Sequence, residues 1–440
     1  MEATSSNSLA KDQDTYLYSA GSAWFVLAMT VGLMLFDYID RQVIVSLFPH
    51  IKAEWGLSDE QLGGLVSIVS ITVAIGSVPV ALVADRISRV KSVVAMGFVW
   101  SLACISCMFT QNYAQLFTAR AVVGAGEAGY GSVGTALIAS HFPSRMRSAV
   151  LAVLFSTASI GSVIGVALGG VIAVHWGWKT AFGIMGFPGL LLALLYLKVR
   201  DYRTVELTGR HSAAMQSTGG VVRLIVQALS RSPTMLWTCV GGACQLIVLS
   251  AVWSWLPSYL NRFYAVPVAQ AGIKAAVVIF CGAVGAVVWG YVVDRASRRN
   301  PCNKLLVLAA LCLVTMLILV FAFGVGVWFG LPPGLGGRFG LIALGGFFAN
   351  CTVGPVAAVV IDVVHPSVRS TGASVLALFQ NLFGLAVGPF IAGALSDALG
   401  LQVAMAIIPI FGVFAALSFL KASRSYDRDV QRTYLAVRTA

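Results

Sequence analysis

The chain has 440 residues, 58% hydrophobic and only 10% charged, with a mean hydropathy of +0.87. A soluble domain carries roughly 25% charged residues, so a water-soluble enzyme is excluded and an integral membrane protein remains. The net charge of +12 is read by position and not as nucleic-acid binding, because Lys and Arg collect in the cytoplasmic loops of membrane proteins.

The first twenty residues are polar, with Asp12 and Asp14 and no basic flank or cleavage site before the first apolar run, so no signal peptide is expected. Apolar runs follow at about 21–49, 60–84, 91–111, 113–140, 147–174 and 178–199, then at about 233–260, 268–293, 304–326, 338–364, 369–396 and 399–420. A membrane-spanning helix takes about 20 to 25 residues. The expectation is an all-α membrane protein of twelve transmembrane helices in two six-helix bundles, residues 1–200 and 233–421, with a cytoplasmic linker at 201–232 and a cytoplasmic tail at 422–440. Within the linker, residues 221–230 fit either a short interfacial helix or a solvated strand of chain. Seven of the eight cysteines fall in apolar runs and Cys302 in a loop, which reads as small apolar packing residues and not as disulfides or a metal site.

With a cytoplasmic N-terminus, 22 of the 29 basic residues fall on the inner side and four outside, at Lys52, Lys179, Arg262 and Arg338. Both termini are therefore expected inside a plasma (inner) membrane. The two halves repeat each other. ALVADRISRV at 81–90 answers GYVVDRASRR at 290–299, with Asp85 and Asp294 in step; Pro49 answers Pro257; and Arg147 answers Arg369. The offset grows from 208 or 209 to 222, which places about 14 extra residues between the second and third landmarks, in the Gly- and Pro-rich stretch 327–338.

Two motifs fail in this setting. GAGEAG at 124–129 fits a dinucleotide fingerprint, but the fingerprint needs a preceding strand; inside a membrane helix the glycines serve close packing or a bend. Asn350-Cys351-Thr352 fits a glycosylation sequon but lies inside an apolar run. No phosphate-binding loop occurs, which favours transport driven by an ion gradient. No cofactor, metal or nucleic-acid partner is expected, and the chain is expected to be a monomer.

Five ionisable residues lie within membrane segments: Asp37, Asp40 and Arg41 in the first, Arg120 and Glu127 in the fourth. Each costs about 2.5 to 3.5 kcal/mol at mid-bilayer, so they must pair or face water. Asp37 and Arg41 are four apart, Arg120 and Glu127 seven apart, so each set shares a helix face. At 1.5 Å per residue, Asp40 and Arg120 lie about 13 and about 10 Å deep and can pair, while Asp37 and Glu127 lie at about 18 and about 21 Å. Carboxylates sharing a dry site suit a proton carrier; a structural ion-pair network is the alternative. In the second half the corresponding positions are Gln245, Val248, Leu249 and the neighbourhood of Asn350. That half offers Trp253, Trp255, Phe347, Phe348, Phe379, Phe383, Gln380 and Asn381, as lining for an apolar substrate body or as ordinary packing, and Tyr130 is a further candidate from the first half. Lys274, near a helix end, can snorkel.

The chain resembles the major facilitator superfamily over essentially its whole length, through the paired DR-x-S-R loops at 85–89 and 294–298. The resemblance implies that Asp85, Arg86 and Arg89, with Asp294, Arg295 and Arg298, form a cytoplasmic gate. DYIDRQ at 37–42 and RAVVGAGEAGYGS at 120–132 are similar to the Spinster family of lipid transporters. That likeness implies proton sites at Asp40 and Glu127, with Arg41 and Arg120 as their partners and as substrate contacts, and an amphiphilic anionic substrate of the sphingolipid or lysolipid class. Asp37 stands where the Spinster pattern usually has Asn and is a third proton candidate. Organic anion:cation symporters share similar DR and EAG segments, so a small carboxylate or sugar acid is the alternative substrate; a non-transporting receptor or scaffold is the alternative of another class.

Overall fold

The computed structural model describes residues 16–199, 201, 232–298, 300–328, 335–364 and 369–438. Among the described residues the regular elements are helices: α1 (Ala20–Trp55), α2 (Asp59–Arg86), α3 (Arg89–Cys107), α4 (Tyr113–Glu127 and Tyr130–His141), α5 (Ser144–Trp176) and α6 (Trp178–Tyr196). The second series is α7 (Pro233–Tyr264), α8 (Val268–Ser297), α9 (Asn303–Trp328), α10 (Leu335–Ala349, Val353–Val363), α11 (Arg369–Phe379, Val387–Leu399) and α12 (Leu401–Ile407, Phe411–Arg438). Short 3-10 turns join the pieces of α10 and α12 at Asn350–Thr352 and Ile408–Ile410, and a π turn at Gln380–Leu385 joins those of α11.

Polar residues at the ends of the apolar runs start the helices. Ser88, Asn112 and Ser232 accept from the backbone N–H of Lys91, Gln115 and Met235, and Pro233 follows the last of these at the first helical position, where a missing N–H costs nothing. Gly177 and Gly400 turn the chain from α5 into α6 and from α11 into α12, with φ of +83° and +87°. L side chains avoid that region, and the two glycines stand at equivalent places in the two halves.

Eleven helices are long and apolar enough to cross a membrane among the described residues. The remaining span is α4, expected as one helix over 113–140, which breaks at Ala128 and Gly129 into pieces of 15 and 12 residues. Gly124, Gly126, Gly129 and Gly131 crowd this stretch and weaken its helical preference. Other ends run past the apolar stretches: α1 continues from Pro49 to Trp55, and α12 continues through the expected tail to Arg438. Residues 221–230, the first fifteen residues and residues 329–334 of the stretch expected to hold the extra 14 residues lie outside the described part.

Two compact units emerge, one from residues 1–44 and 72–206, the other from 45–71 and 207–440. In the first, Val26, Leu33, Val93, Tyr130, Leu137 and Tyr196 belong to one core cluster. In the second, Met235, Cys239, Leu308, Cys312, Val356 and Phe419 join α7, α9, α10 and α12. Residues 45–71, the later part of α1 and the start of α2, belong with the second unit, a division that hydropathy does not reveal.

Candidate functional site: buried ion pairs on α1 and α4

The α1 and α4 charges of the first unit form two rungs. Arg120 Nη1 donates to Asp40 Oδ2 at 2.6 Å, and Arg41 Nε lies 2.9 Å from Glu127 Oε2 and 3.5 Å from Asp37 Oδ1. Helical spacing explains why there are two rungs and not one cluster. Asp37 and Arg41 project about 40° apart on α1, while Asp40 projects about 100° away from Arg41. On α4, Arg120 and Glu127 share a face about 10 Å apart along the axis. All five side chains are enclosed except that of Arg41, which keeps 20% of its surface, against 1% or less for Arg120, Asp40 and Glu127 and 4% for Asp37.

Aromatic and sulfur groups complete the enclosure. The Arg41 guanidinium lies 5.6 Å from the Tyr38 ring centre and that of Arg120 6.0 Å from Phe182, within cation–π reach. The Cys104 thiol lies 3.0 Å from Asp40 Oδ1 and 3.1 Å from the Phe182 carbonyl oxygen. Cys104 is therefore a polar neighbour of a buried carboxylate and not the simple packing residue that its apolar run suggests. Glu127 ends the first piece of α4, at the break. Discontinuous membrane helices are where transporters of repeated architecture build their ion and substrate sites.

Tyr130 opens the second piece of α4, and its buried hydroxyl has no hydrogen-bond partner among the described residues. In the second unit, Gln245 donates through Nε2 to the Ala349 carbonyl at 3.2 Å. Its Oε1 and the Trp253 Nε1, two turns further along α7, are buried without a partner among the described residues. Trp253 packs with Leu246, Leu249, Ala349 and Leu385, and Asn350 is buried in the turn that interrupts α10. Buried polar atoms of this kind call for water or a ligand. Gln380 and Asn381 begin the π turn of α11, where the Asn381 amide bonds back to Ala377 O at 2.9 Å. The aromatic candidates separate: Phe347 and Phe348 stack on Trp289, Phe379 on Phe383, and Trp255 is fully buried and donates to Pro389 O. Lys274 lies 5.2 Å from the Phe339 ring centre.

A further ionic cluster in the second unit escaped the sequence reading. Asp59, at the start of α2 and 2% exposed, receives Arg262 through both terminal nitrogens at 2.6 and 2.8 Å, Lys52 at 2.5 Å and the Ser396 hydroxyl at 2.5 Å. Asp397 in turn accepts from the backbone N–H of Asp59 and Glu60 at 2.9 and 2.7 Å, capping α2 with a carboxylate. A side chain at Gly393 would collide with the Asp59 carbonyl, so α2 and α11 touch through backbone here. The available signal was charge scarcity: Lys52 and Arg262 are two of the four basic residues assigned to the outside.

The paired DR-x-S-R loops sit at matching helix ends. Asp85 and Arg86 close α2 and Arg89 opens α3; Asp294 and Arg295 lie in the last turn of α8, followed by Arg298, and all three of these are exposed. Ser88, within the first loop, donates to Asp201, and the Val90 N–H lies 3.4 Å from the same carboxylate. That acid was not singled out from the sequence.

The family model described as Major Facilitator Superfamily matches residues 30–337. The chain is 27% identical over 423 residues to an MFS-type efflux pump of Mycolicibacterium smegmatis, covering 93% of this chain and 94% of that protein. It is 28% identical over 433 residues to a gallate transporter of Pseudomonas putida, covering 91% and 92%. Its fold is similar, at a TM-score of 0.82 and 22% identity, to the crystal structure of a bacterial homolog to the human lysosomal transporter Spinster in an inward-facing and unoccupied conformation, covering 93% of this chain and 99% of that one.

Proposed function

Because the chain belongs to the Major Facilitator Superfamily, and is thus a multi-pass membrane transporter, we propose that it carries an amphiphilic anion, of the sphingolipid or lysolipid class, by proton-coupled alternating access. In this reading it lies in the plasma (inner) membrane with both termini in the cytoplasm, as the distribution of Lys and Arg favours. The observation that carries the reading is the pair of enclosed rungs, Asp40 with Arg120 and Glu127 with Arg41.

The rungs divide the work. Arg120 is sealed against Asp40, whereas Arg41 is held by Glu127 and Asp37 and is the accessible member. A proton on Glu127 removes the nearer of the two charges that hold Arg41, leaves only the longer contact to Asp37, and opens the guanidinium to an anionic headgroup. Loss of that proton lets the carboxylate retake Arg41 and expel the anion. Proton and anion thus favour the same state, a positive coupling that each must return to the other, and the pair moves in the same direction. Protonation of Asp40 releases Arg120 in the same way, so the two rungs bias which side opens. The Tyr130 hydroxyl and the Gln245 and Trp253 polar atoms, buried without a partner among the described residues, support roles in substrate contact, and the gate roles of Asp85, Arg86, Arg89, Asp294, Arg295 and Arg298 rest on the repeated loop motif. In alternating access, the Asp59 cluster, which ties helix ends assigned to the outer side, is a contact that parts when that side opens.

A specific observation favours a second substrate reading, a small organic carboxylate: the 28% identity to a gallate transporter. Arg41 serves both, since each presents an anion. The test is uptake into proteoliposomes under an imposed pH gradient, comparing a lysophospholipid, a sphingoid phosphate and gallate. Gradient-driven uptake of either lipid supports the lipid reading, uptake of gallate alone supports the second, and uptake of none under any gradient contradicts both.

A further inference from the structure

The second unit carries an apolar groove with a basic end, remote in sequence from the rungs. Its walls are Trp237, Val240 and Cys244 of α7 and Phe414, Leu417 and Lys421 of α12, enclosing about 350 Å³. At 1.5 Å per residue it runs about 15 Å along α12, from Phe411 to Lys421. Lys421 closes it, with its ammonium 4.3 Å from the Trp237 ring centre. Beyond Lys421, α12 leaves the apolar stretch, and Arg424, Arg428 and Arg432 follow at spacings of three and four, all exposed. These four basic side chains fall within an arc of about 80°, a single stripe continuing from the mouth of the groove.

The stripe is held in place from the adjoining, buried side of the same helix. Ser425 bonds Thr234 at 2.8 Å, Tyr426 donates to Asp362 at 2.9 Å, and Asp429 accepts from the Ser232 hydroxyl at 2.9 Å and the Thr234 N–H at 3.0 Å. Lys304 also meets Asp362, at 2.8 Å. The acids of this region are largely engaged inward: Asp362 and Asp429 serve the anchor, with Arg428 Nε 3.9 Å from Asp429, and Asp427 is exposed off the stripe. A fixed apolar slot at membrane depth, ending in a lysine over an aromatic ring and a row of arginines, matches one chemistry: an acyl chain joined to a phosphate headgroup.

We propose that the α7–α12 groove and the Lys421, Arg424, Arg428, Arg432 stripe form a binding site for an anionic phospholipid of the inner leaflet, separate from the transported substrate. Basic residues beside a membrane helix each contribute about fivefold in affinity for an anionic surface. The site rests on the orientation that puts the C-terminus inside, and is independent of what is transported.

The test is native mass spectrometry of the full chain in detergent, titrated separately with phosphatidylglycerol, phosphatidylcholine and inorganic phosphate. The expected result is a preference for phosphatidylglycerol over phosphatidylcholine on the order of a hundredfold for three engaged charges. K421Q/R424Q/R428Q should abolish the preference, and the conservative K421R/R424K/R428K should keep it. V240W fills the groove without touching a charge and should also lose the lipid. All three variants leave the rungs intact, so gradient-driven uptake reports separately on the transport reading. Unchanged phosphatidylglycerol binding in the neutralised variant or in V240W overturns the proposal. So does inorganic phosphate that binds as tightly as the lipid, which would make the stripe a free-anion site.

Discussion

The two units answer the same packing problem with different chemistry. In the first, the middle of α1 holds Asp37, Asp40 and Arg41, joined to α4 through the 2.6 Å and 2.9 Å rungs. The corresponding positions of α7 are Gln245, Val248 and Leu249, where a neutral amide donates to the Ala349 carbonyl at 3.2 Å and the other two are buried apolar residues. A neutral amide fixes a helix contact at modest cost, whereas a buried ion pair contributes little net stability for its desolvation penalty. Packing alone would have favoured the amide solution twice. In the proposed mechanism, the difference gives charge movement to the first unit and leaves the second to recognise substrate by shape and amides.

The sharpest way to break the contrast is to remove one partner of a rung. R120A leaves Asp40 buried and uncompensated, and should destabilise the fold by about 3 to 5 kcal/mol, read as a drop in the thermal midpoint of the purified protein. A midpoint unchanged from wild type would mean that Asp40 carries no charge in the folded state. Asp59 provides the control, since its ionic cluster lies outside the rungs. D59N weakens charged hydrogen bonds worth about 1.5 to 3 kcal/mol each and should alter uptake rate while leaving the pH profile of uptake in place; a shifted pH profile would move Asp59 into the coupling machinery. The smallest effect belongs to Cys104. C104A removes a weak donor to Asp40 and should cost about 1 kcal/mol or less in hydrogen bonding, read as a small drop in the thermal midpoint that largely disappears when the same change is made in D40N. A drop of equal size in both backgrounds would return Cys104 to packing.

The sequence exposes these features unevenly, for physical reasons. Every span must be apolar for its length, so hydropathy alone locates the twelve segments, and charge is so costly in them that Asp37, Asp40, Arg41, Arg120 and Glu127 stand out without any fold. The pairing of Asp40 with Arg120 follows from depth along two helices. The break in α4 does not register in hydropathy, because a helix interruption changes backbone direction and not composition; only the cluster of glycines marks it. Cys104 is indistinguishable from a packing residue until α3 is folded against α1. Asp59 reads as an ordinary polar helix start, and its partners Arg262, Ser396 and Asp397 arrive from more than 200 residues away. The grouping of residues 45–71 with the second unit is tertiary information of the same kind.

The central claim is that the enclosed carboxylates couple a proton to the substrate. It is tested most directly by uptake into proteoliposomes driven by an imposed pH gradient, wild type against D40N/E127Q, with binding of the same substrate measured on both. Coupling through the rungs predicts that gradient-driven uptake falls to the level of empty liposomes while substrate still binds and its binding no longer takes up protons. Gradient-driven uptake that survives neutralisation of both Asp40 and Glu127 would contradict it.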